Sequence, residues 1–208
     1  AARHSGIAEH RAVFEVFTRS LPEGRRFGVV AGTGRIIDAI DELHFDADEL
    51  EWLTEVGAIS RSTREWLTSR RFGGTITGYP EGELHIAGPP VLTVDATFGD
   101  AVLLETLVLG ILNHDSDVAA AAARMRLAAG DRTLIDMGGR RTHEEAAVAA
   151  ARAAWIAGFD ATSNLEAGRR YEIPTAGTAA HAFVLAHGDE DAAFRAQLDR
   201  GAHQYNEM

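Results

Sequence analysis

The sequence contains neither cysteine nor lysine. Without cysteine, a disulfide scaffold, a thiolate nucleophile and a cysteine-based zinc site are all excluded. Without lysine, Schiff-base chemistry and the lysine of a P-loop are excluded too, and all 20 basic residues are arginine. Any phosphate or carboxylate must then be bound by guanidinium groups, which bind such anions through two parallel hydrogen bonds. Genome composition produces the same bias, so this pattern alone does not identify an anion site.

Charge and hydropathy exclude further classes of protein. The formal net charge is −11, whereas a general nucleic-acid binder needs a basic surface to displace counterions from phosphates. The apolar stretches between Ala101 and Leu127 are interrupted by charged residues, so none is suited to span a bilayer, and no signal-peptide pattern opens the chain. We therefore expect a cytoplasmic protein without nucleic-acid or membrane partners. A local arginine cluster still permits an anionic small molecule.

The first half of the chain is predicted to be mixed α/β. Apolar patterns predict two strands, the first of them buried on both faces, and three short amphipathic helices. A candidate hairpin follows, in which Pro80 and Gly82 suit a β-turn. In chain order, the predicted elements are strands 13–17 and 26–31, helices from Arg35, over 49–56 and over 62–68, hairpin strands 72–79 and 84–87, and strand 91–94.

The second half changes character near Gly99. Apolar residues at helical spacing over 103–112 predict one helix, and the cap signal Asp115-Ser116-Asp117 predicts the start of another over 118–128. Strands and helices then alternate, which implies a parallel sheet or barrel whose chemistry gathers where strands end. The predicted strands are 133–137, 159–162 and 173–176; the predicted caps of the helices after them are Thr142 with Glu145 in a capping box, Asn164, and Thr178.

Other motifs are less informative. Gly32-Thr33-Gly34 lies between a strand and a helix, but Ile37 replaces the third glycine of a dinucleotide fingerprint and no βαβ unit follows. A glycine-rich turn is therefore favoured over a nucleotide site. The nine histidines show no pair at the spacing of a helical zinc site, so no metal ligand is assigned.

Three turns at predicted strand ends carry groups suited to chemistry. Each turn, taken alone, has two interpretations. The first is an anion-binding loop or a solvated arginine-rich loop, and the second is an anion-binding helix N-terminus or only a helix cap. The third holds either a catalytic or a structural histidine. They are Asp136-Met137-Gly138-Gly139-Arg140-Arg141, Gly158-Phe159-Asp160-Ala161-Thr162-Ser163-Asn164, and Ile173-Pro174-Thr175-Ala176-Gly177-Thr178-Ala179-Ala180-His181.

Together and in this order, the three motifs resemble the consecutive signatures of nicotinate phosphoribosyltransferases. Shorter segments earlier in the chain resemble the same family in the same order, and the similarity covers roughly residues 10–200. These segments are Phe14-Glu15-Val16-Phe17, Leu21-Pro22-Glu23-Gly24-Arg25, Leu104-Glu105-Thr106 and Leu112-Asn113.

The resemblance implies an α/β fold in which an N-terminal mixed α/β domain, residues 1–98, precedes an irregular β/α barrel that is incomplete in this chain. Residues 99–200 would supply the helical connection and the first part of the barrel, and residues 201–208 are an unassigned tail. The family's opening segment is not recognised before Ala12, and its glycine-rich phosphate loop is not found after residue 200. We therefore expect the 208 residues to be part of a longer enzyme, with the tail joined from elsewhere.

The resemblance also implies an activity. The family joins nicotinate to phosphoribosyl pyrophosphate in NAD salvage, with Mg²⁺ present, and couples this to ATP hydrolysis through a phosphorylated histidine; its members are homodimers. By position, His181 would be the phosphorylated, catalytic residue. Substrate-binding residues would be Arg140 and Ser163 at nicotinate and Arg141 at phosphate, with Asp136 and Thr162 beside them.

Two alternatives remain open. Related nicotinamide enzymes carry an acidic residue at the position of Ser163, where an Asp would accept a hydrogen bond from a carboxamide and repel a carboxylate. Ser163 therefore favours nicotinate, with a nicotinamide-type enzyme as the alternative. The other alternative is a non-catalytic homologue or fragment that binds ligand without turnover.

Overall fold

The computed structural model of the protein describes residues 2–178 and 180–206, with side chains as far as residue 199. Within these residues the chain forms a mixed α/β fold of seven strands and eight α-helices. The strands are β1 (Arg11–Phe17), β2 (Gly28–Val29), β3 (Thr75–Gly78), β4 (Leu84–His85), β5 (Pro90–Thr97), β6 (Ile135–Asp136) and β7 (Ala161–Thr162); the helices are α1 (Thr33–Glu42), α2 (Ala47–Glu55), α3 (Arg61–Thr68), α4 (Phe98–Ala129), α5 (Glu144–Ile156), α6 (Leu165–Tyr171), α7 (His181–His187) and α8 (Glu190–Asn206).

The main hydrophobic core lies between an antiparallel sheet and helices α1 and α4. The sheet has the order β1-β5-β3, and the buried face of β5 packs against apolar residues of both helices. The prediction that the first strand is buried on both faces is wrong. Phe14 and Val16 of β1 pack against the core, but Val13 is 55% exposed and Phe17 47% exposed, because successive side chains of a strand point to opposite faces.

The predicted hairpin is also wrong, although its turn is present. β3 pairs with β5, whereas β4 pairs with β2 in a separate two-stranded sheet. The turn after β3 is held by the amide of Gly82, which donates to the carbonyl of Val30 at 2.8 Å. This turn therefore leads the chain from one sheet to another.

Helix α4 runs continuously through the predicted cap signal at Asp115-Ser116-Asp117. Asp115 is only 1% exposed, and both of its carboxylate oxygens accept from Nη1 of Arg35 at 2.8 Å. The hydroxyl of Ser116 donates to the carbonyl of Ala31 at 3.1 Å. The prediction of a helix start here is wrong, since Asp115 binds Arg35 of α1 and Ser116 binds the turn that precedes α1 instead of capping a helix.

The glycine turn at Gly32 is filled by the protein's own side chains. Gly32 has φ 101°, and a Cβ built there would lie 2.8 Å from Ile111. Its amide donates to Oε1 of Glu81 at 2.6 Å, and the Glu81 carboxylate is bound by both Nη atoms of Arg152 at 2.7 Å. A carboxylate thus occupies the helix N-terminus where a phosphate would bind in a nucleotide site.

In the second half, β6 and β7 are parallel and α5 packs against α4. The cap at Asn164 is confirmed, because its side chain accepts from the amide of Ala167. The other two predicted caps are wrong. The side chain of His143, rather than that of Thr142, caps α5, and α7 begins after Ala180 rather than Thr178, without a side-chain cap.

The predicted third strand is reduced to a single parallel bridge between Thr162 and Thr175. The last helix, α8, continues from Glu190 to Asn206, so its end overlaps the predicted tail, whose last two residues lie outside the described part. The origin of that tail stays a prediction, as does the domain division near residue 98. No helix among the described residues combines the length and apolar character needed to cross a membrane.

Acidification should remove part of the protein's stability through Glu81. Burial opposes ionisation of this carboxyl, but the hydrogen bonds and charge of Arg152, with the amides of Gly32 and Gly34, hold its pKa below the ordinary value. Such a group stabilises the fold above its unfolded-state pKa, and the contribution is lost as pH falls through the folded-state pKa. We expect Glu81→Gln to lower the free energy of unfolding at neutral pH by about 1–3 kcal/mol.

This deficit should shrink as the pH falls below about 4, where the unfolded wild-type chain takes up a proton at Glu81. Urea unfolding of both proteins across that range measures it. Glu83→Gln, which removes an exposed carboxylate from the same loop, is the charge-matched control. A deficit for Glu81→Gln that is equal at every pH would contradict the expectation.

Candidate active site

The ends of the three predicted strands lie side by side. Asp136 at the end of β6 pairs with Thr162 at the end of β7, and Thr162 forms the bridge to Thr175. The amide of Thr162 donates to the carbonyl of Pro174 at 3.0 Å, and the amide of Ala176 donates back to the carbonyl of Thr162 at 3.0 Å. The loops that follow the three predicted strands therefore start from the same, carboxyl end of this sheet.

A hydrogen-bond network fixes the carboxyl ends of these strands. Thr162 is fully buried, and its hydroxyl donates to Oδ2 of Asp136 at 2.8 Å while accepting from the amide of Asn164 at 3.0 Å. Oδ1 of Asp136 accepts from the amide of Gly138 at 2.9 Å, and the Asp136 carbonyl accepts from the amide of Ser163 at 2.8 Å. Asp136 and Thr162 thus hold the first residues of two loops in place; their contact with substrate stays a prediction.

Arg140 and Arg141 lie a few residues beyond Asp136, in and just after a short 3-10 helix, Gly138–Arg140. The amide of Arg141 closes this turn by donating to the carbonyl of Gly138 at 2.8 Å. Both side chains are exposed, and within the described residues neither guanidinium is engaged in an ion pair. Two free cations therefore stand at the start of α5, where they are available to an anion.

Ser163 has a fixed backbone and an exposed side chain. Its amide is held by Asp136, and the next residue, Asn164, caps α6 through its side chain. Within the described part of the chain, the Ser163 hydroxyl has no hydrogen-bond partner. This serine therefore presents a small neutral group from a rigid position.

His181 is the first residue of α7 and is exposed. It follows the bridged Thr175 by six residues, and Ala179, within the same motif, lies outside the described residues. No described contact joins the His181 imidazole to Arg140 or Ser163. The structure thus brings Asp136, Thr162 and Ser163 into direct contact, and the meeting of His181 with them stays a prediction.

The motifs did not indicate how the opposite, amino end of these strands is fixed. Asp160, in the second motif, precedes β7, so its carboxylate lies at the amino end of the strand, away from the candidate site. Its Oδ2 accepts from the amide of Leu134 at 2.7 Å and from Nη1 of Arg126 at 3.1 Å. The position of Asp160 directly before a predicted strand could have indicated this role. The motif alone groups Asp160 with Ser163, which follows the strand.

The described residues form no metal centre by themselves. Among residues 2–178 and 180–199, no group of three or more His, Asp or Glu side chains is placed to hold a metal ion. Asp136, the carboxylate at the candidate site, already accepts hydrogen bonds on both oxygens.

The buried hydroxyl of Thr162 should contribute measurably to stability. Thr162→Val keeps the shape but leaves Oδ2 of Asp136 and the amide of Asn164 without this partner, which should cost about 1–3 kcal/mol of unfolding free energy. Thr162→Ser should retain the network, and Ser163→Ala, which removes an exposed hydroxyl, should change the unfolding free energy by less than about 0.5 kcal/mol. Denaturant unfolding compares the three, and a cost for Thr162→Val no larger than that for Ser163→Ala would contradict the network.

Known proteins resemble this chain in both sequence and structure. A family model described as the nicotinate phosphoribosyltransferase (NAPRTase) N-terminal domain matches residues 1–113, more than half of the chain. A nicotinate phosphoribosyltransferase of Mycobacterium tuberculosis is 56% identical over 207 residues, covering 96% of this chain and 46% of that protein. That of Bacillus subtilis is 39% identical over 191 residues, covering 91% and 39%.

The crystal structure of human nicotinic acid phosphoribosyltransferase has a TM-score of 0.82 and 32% identity, and the match covers 89% of this chain and 38% of that one. A nicotinate-nucleotide pyrophosphorylase structure from Pyrococcus furiosus has a TM-score of 0.70 and 25% identity, covering 92% and 42%. The chain thus spans less than half the length of these relatives. Because the family model matches more than half of the chain and the relatives align along nearly all of it, the chain belongs to the nicotinate phosphoribosyltransferase family.

Proposed function

We propose that this protein acts in NAD salvage as a nicotinate phosphoribosyltransferase, which forms nicotinate mononucleotide and pyrophosphate from nicotinate and phosphoribosyl pyrophosphate. The proposal is supported by membership of the family and by one geometric observation: the three loops whose motifs resemble the family's begin at adjacent strand ends, at Asp136, Thr162 and Thr175.

The chemistry needs little more than binding and orientation. The pyridine nitrogen carries no proton, so its lone pair can form the bond to C1 of the ribose without a general base. The bond from C1 to the pyrophosphate oxygen breaks, and its electron pair leaves with pyrophosphate. A protein accelerates such a step by orienting the ring and by stabilising the departing negative charge.

Arg140, Arg141 and Ser163 suit these tasks. In our proposal, the Arg140 guanidinium holds the carboxylate of nicotinate with parallel hydrogen bonds, and Arg141 binds phosphate oxygens. Both side chains are exposed, and the ion pairs found elsewhere in the described structure do not engage them. The neutral Ser163 hydroxyl, held beside Asp136, tolerates an anionic ring where an acidic side chain would repel it.

ATP hydrolysis would proceed through His181. The γ-phosphoryl group of ATP moves to an imidazole nitrogen, ADP leaves, and water later takes the phosphoryl group as inorganic phosphate. The exposure of His181 on the first turn of α7 supports this role, because the imidazole must be reached by a nucleotide. Mg²⁺ would enter with the phosphate oxygens of the substrates, and we assign it no protein ligand.

Three further features belong to the same proposal. β6, β7 and the strand segment at Thr175 would begin an irregular β/α barrel, since parallel strands alternating with helices build such folds. The enzyme would act as a homodimer with shared sites, as the family resemblance implies. It would work in the cytoplasm, where ATP and phosphoribosyl pyrophosphate are available as co-substrates.

Replacement of His181 tests the phosphoryl-transfer role. Purified His181→Ala should lose ATP hydrolysis by more than about 100-fold, because the group that accepts the phosphoryl is gone. His187→Ala, in the last turn of the same helix, should retain it. Release of ADP and formation of nicotinate mononucleotide are measured together, and ATP hydrolysis unchanged in His181→Ala would overturn the assignment.

Replacement of Ser163 tests the choice of substrate. Ser163→Asp places a negative charge where we locate the nicotinate carboxylate, so KM for nicotinate should rise about 10–100-fold, equivalent to ~1.4–2.8 kcal/mol. Ser163→Ala, which adds no charge, should change it little. The measurement is the ratio of kcat/KM for nicotinate to kcat/KM for nicotinamide, compared between the wild-type protein and each variant. A wild-type preference for nicotinamide, or a ratio that Ser163→Asp leaves unchanged, would contradict the proposed site.

A further inference from the structure

Arg152 is a half-buried arginine on α5 that lies outside the residues proposed to touch substrate. Its side chain is 16% exposed, and its two Nη atoms each donate to one oxygen of Glu81 at 2.7 Å. The carbon at the centre of its guanidinium lies 5.1 Å from the centre of the Tyr171 ring. One planar group therefore contacts three parts of the chain: its own helix, the turn that holds Glu81, and the end of α6.

On one side, this contact reaches the glycine turn of the first half. Glu81, itself 19% exposed, also accepts from the amide of Gly32 at 2.6 Å. The backbone of Gly34 packs directly against the guanidinium, since a Cβ built there would lie 2.8 Å from Nη2 of Arg152. The start of α1 is thereby tied to α5 through a pair of charges that are largely removed from water.

On the other side, the contact reaches the elements that carry the candidate site. α5 starts directly after the loop with Arg140 and Arg141, and α6 starts directly after Ser163 and its neighbour. Tyr171 is the last residue of α6, and it packs with Ile173, which leads into the bridged Thr175. Arg152 thus joins the two helices that follow the first two loops, and Tyr171 extends this contact to the segment that enters the third.

A lysine would not reproduce these contacts. A guanidinium is planar, so it can form two parallel hydrogen bonds to a carboxylate and also lie over an aromatic ring. The ammonium of lysine is a point charge and cannot form both contacts at once. Removing one member of a buried pair leaves the other charge uncompensated. The spacing of α5, α6 and the glycine turn therefore depends on this particular side chain.

We propose that Arg152 is a positioning residue: by holding Glu81 and Tyr171 together, it sets the relative placement of the loops at the three strand ends. The consequence for catalysis rests on the proposed function, because it concerns how Arg140 and Ser163 meet nicotinate. The positioning itself is a property of the fold and can be measured without turnover.

Amide hydrogen exchange followed by NMR on the intact chain tests the positioning. The reporters are amides hydrogen-bonded at the strand ends, those of Ser163, Asn164 and Ala176, and the reference is the sheet formed by β1 and β5. Arg152→Met should accelerate exchange at the reporters about tenfold or more, equivalent to ~1.4 kcal/mol, with little change in the reference. Arg152→Lys should give no rescue.

The control is Arg169→Met, which removes an exposed arginine of α6 that pairs with Glu166. It should leave the three reporters unchanged. If Arg152→Met does not fold, Glu81→Gln serves in its place, since it weakens the same pair while keeping the side chain's shape. Unchanged reporters in the variant that folds, or equal acceleration of reporters and reference, would overturn the proposal.

A kinetic measurement separates positioning from general destabilisation. Where the wild-type protein turns over, Arg152→Met should raise KM for nicotinate about tenfold, with KM for ATP unchanged. A fall in kcat with both KM values unchanged would contradict positioning. If the wild-type protein shows no turnover, the proposed function fails, and the exchange experiment still decides the role of Arg152.

Discussion

The candidate site depends on the carboxylate of Asp136, which joins the ends of two strands. One oxygen accepts from the backbone of the loop that follows its own strand, at Gly138, and the other accepts from the hydroxyl of Thr162 on the next strand. Among the described residues, its donors are the neutral amide of Gly138 and the neutral hydroxyl of Thr162, and no cation pairs with it. The unpaired guanidiniums of Arg140 and Arg141 follow a few residues later, which leaves the site with positive charge to spare for an anion.

In the first half of the chain, a carboxylate also binds the backbone of a glycine turn, but its charge is neutralised. Glu81 binds the amide of Gly32, but Arg152 cancels its charge with two hydrogen bonds. Asp115, buried in α4 against the same turn, is cancelled by Arg35. In a chain without lysine, arginine thus occurs in two settings. Paired with buried carboxylates, arginine stabilises the fold; at the strand ends, Arg140 and Arg141 form no ion pair within the described residues.

The sequence could predict elements set by neighbouring residues, and it failed where distant residues decide. The turn around Pro80 was correct, but the strands that flank it pair with β5 and β2, and no local pattern encodes such partners. Asp115-Ser116-Asp117 has the residue types of a helix cap, yet its groups bind Arg35 and Ala31, about 80 residues away along the chain. Of the predicted caps, the one at Asn164 is confirmed, where the side chain accepts from an amide only three residues away.

For the site, the motifs correctly identified which strand ends come together, and the role of each residue within them stays a prediction. Thr162 is completely buried, and its hydroxyl has two partners within the protein; its contact with substrate stays a prediction. Ser163, one residue later, has the same functional group pointing outward, because successive residues of an extended segment face opposite sides. Two adjacent residues thus differ in what they can do: Thr162 is buried and stabilises the strand ends, whereas Ser163 is exposed and accessible to a ligand. The contribution of Ser163 to the fold is made by its backbone amide, which every side chain except that of proline would leave in place.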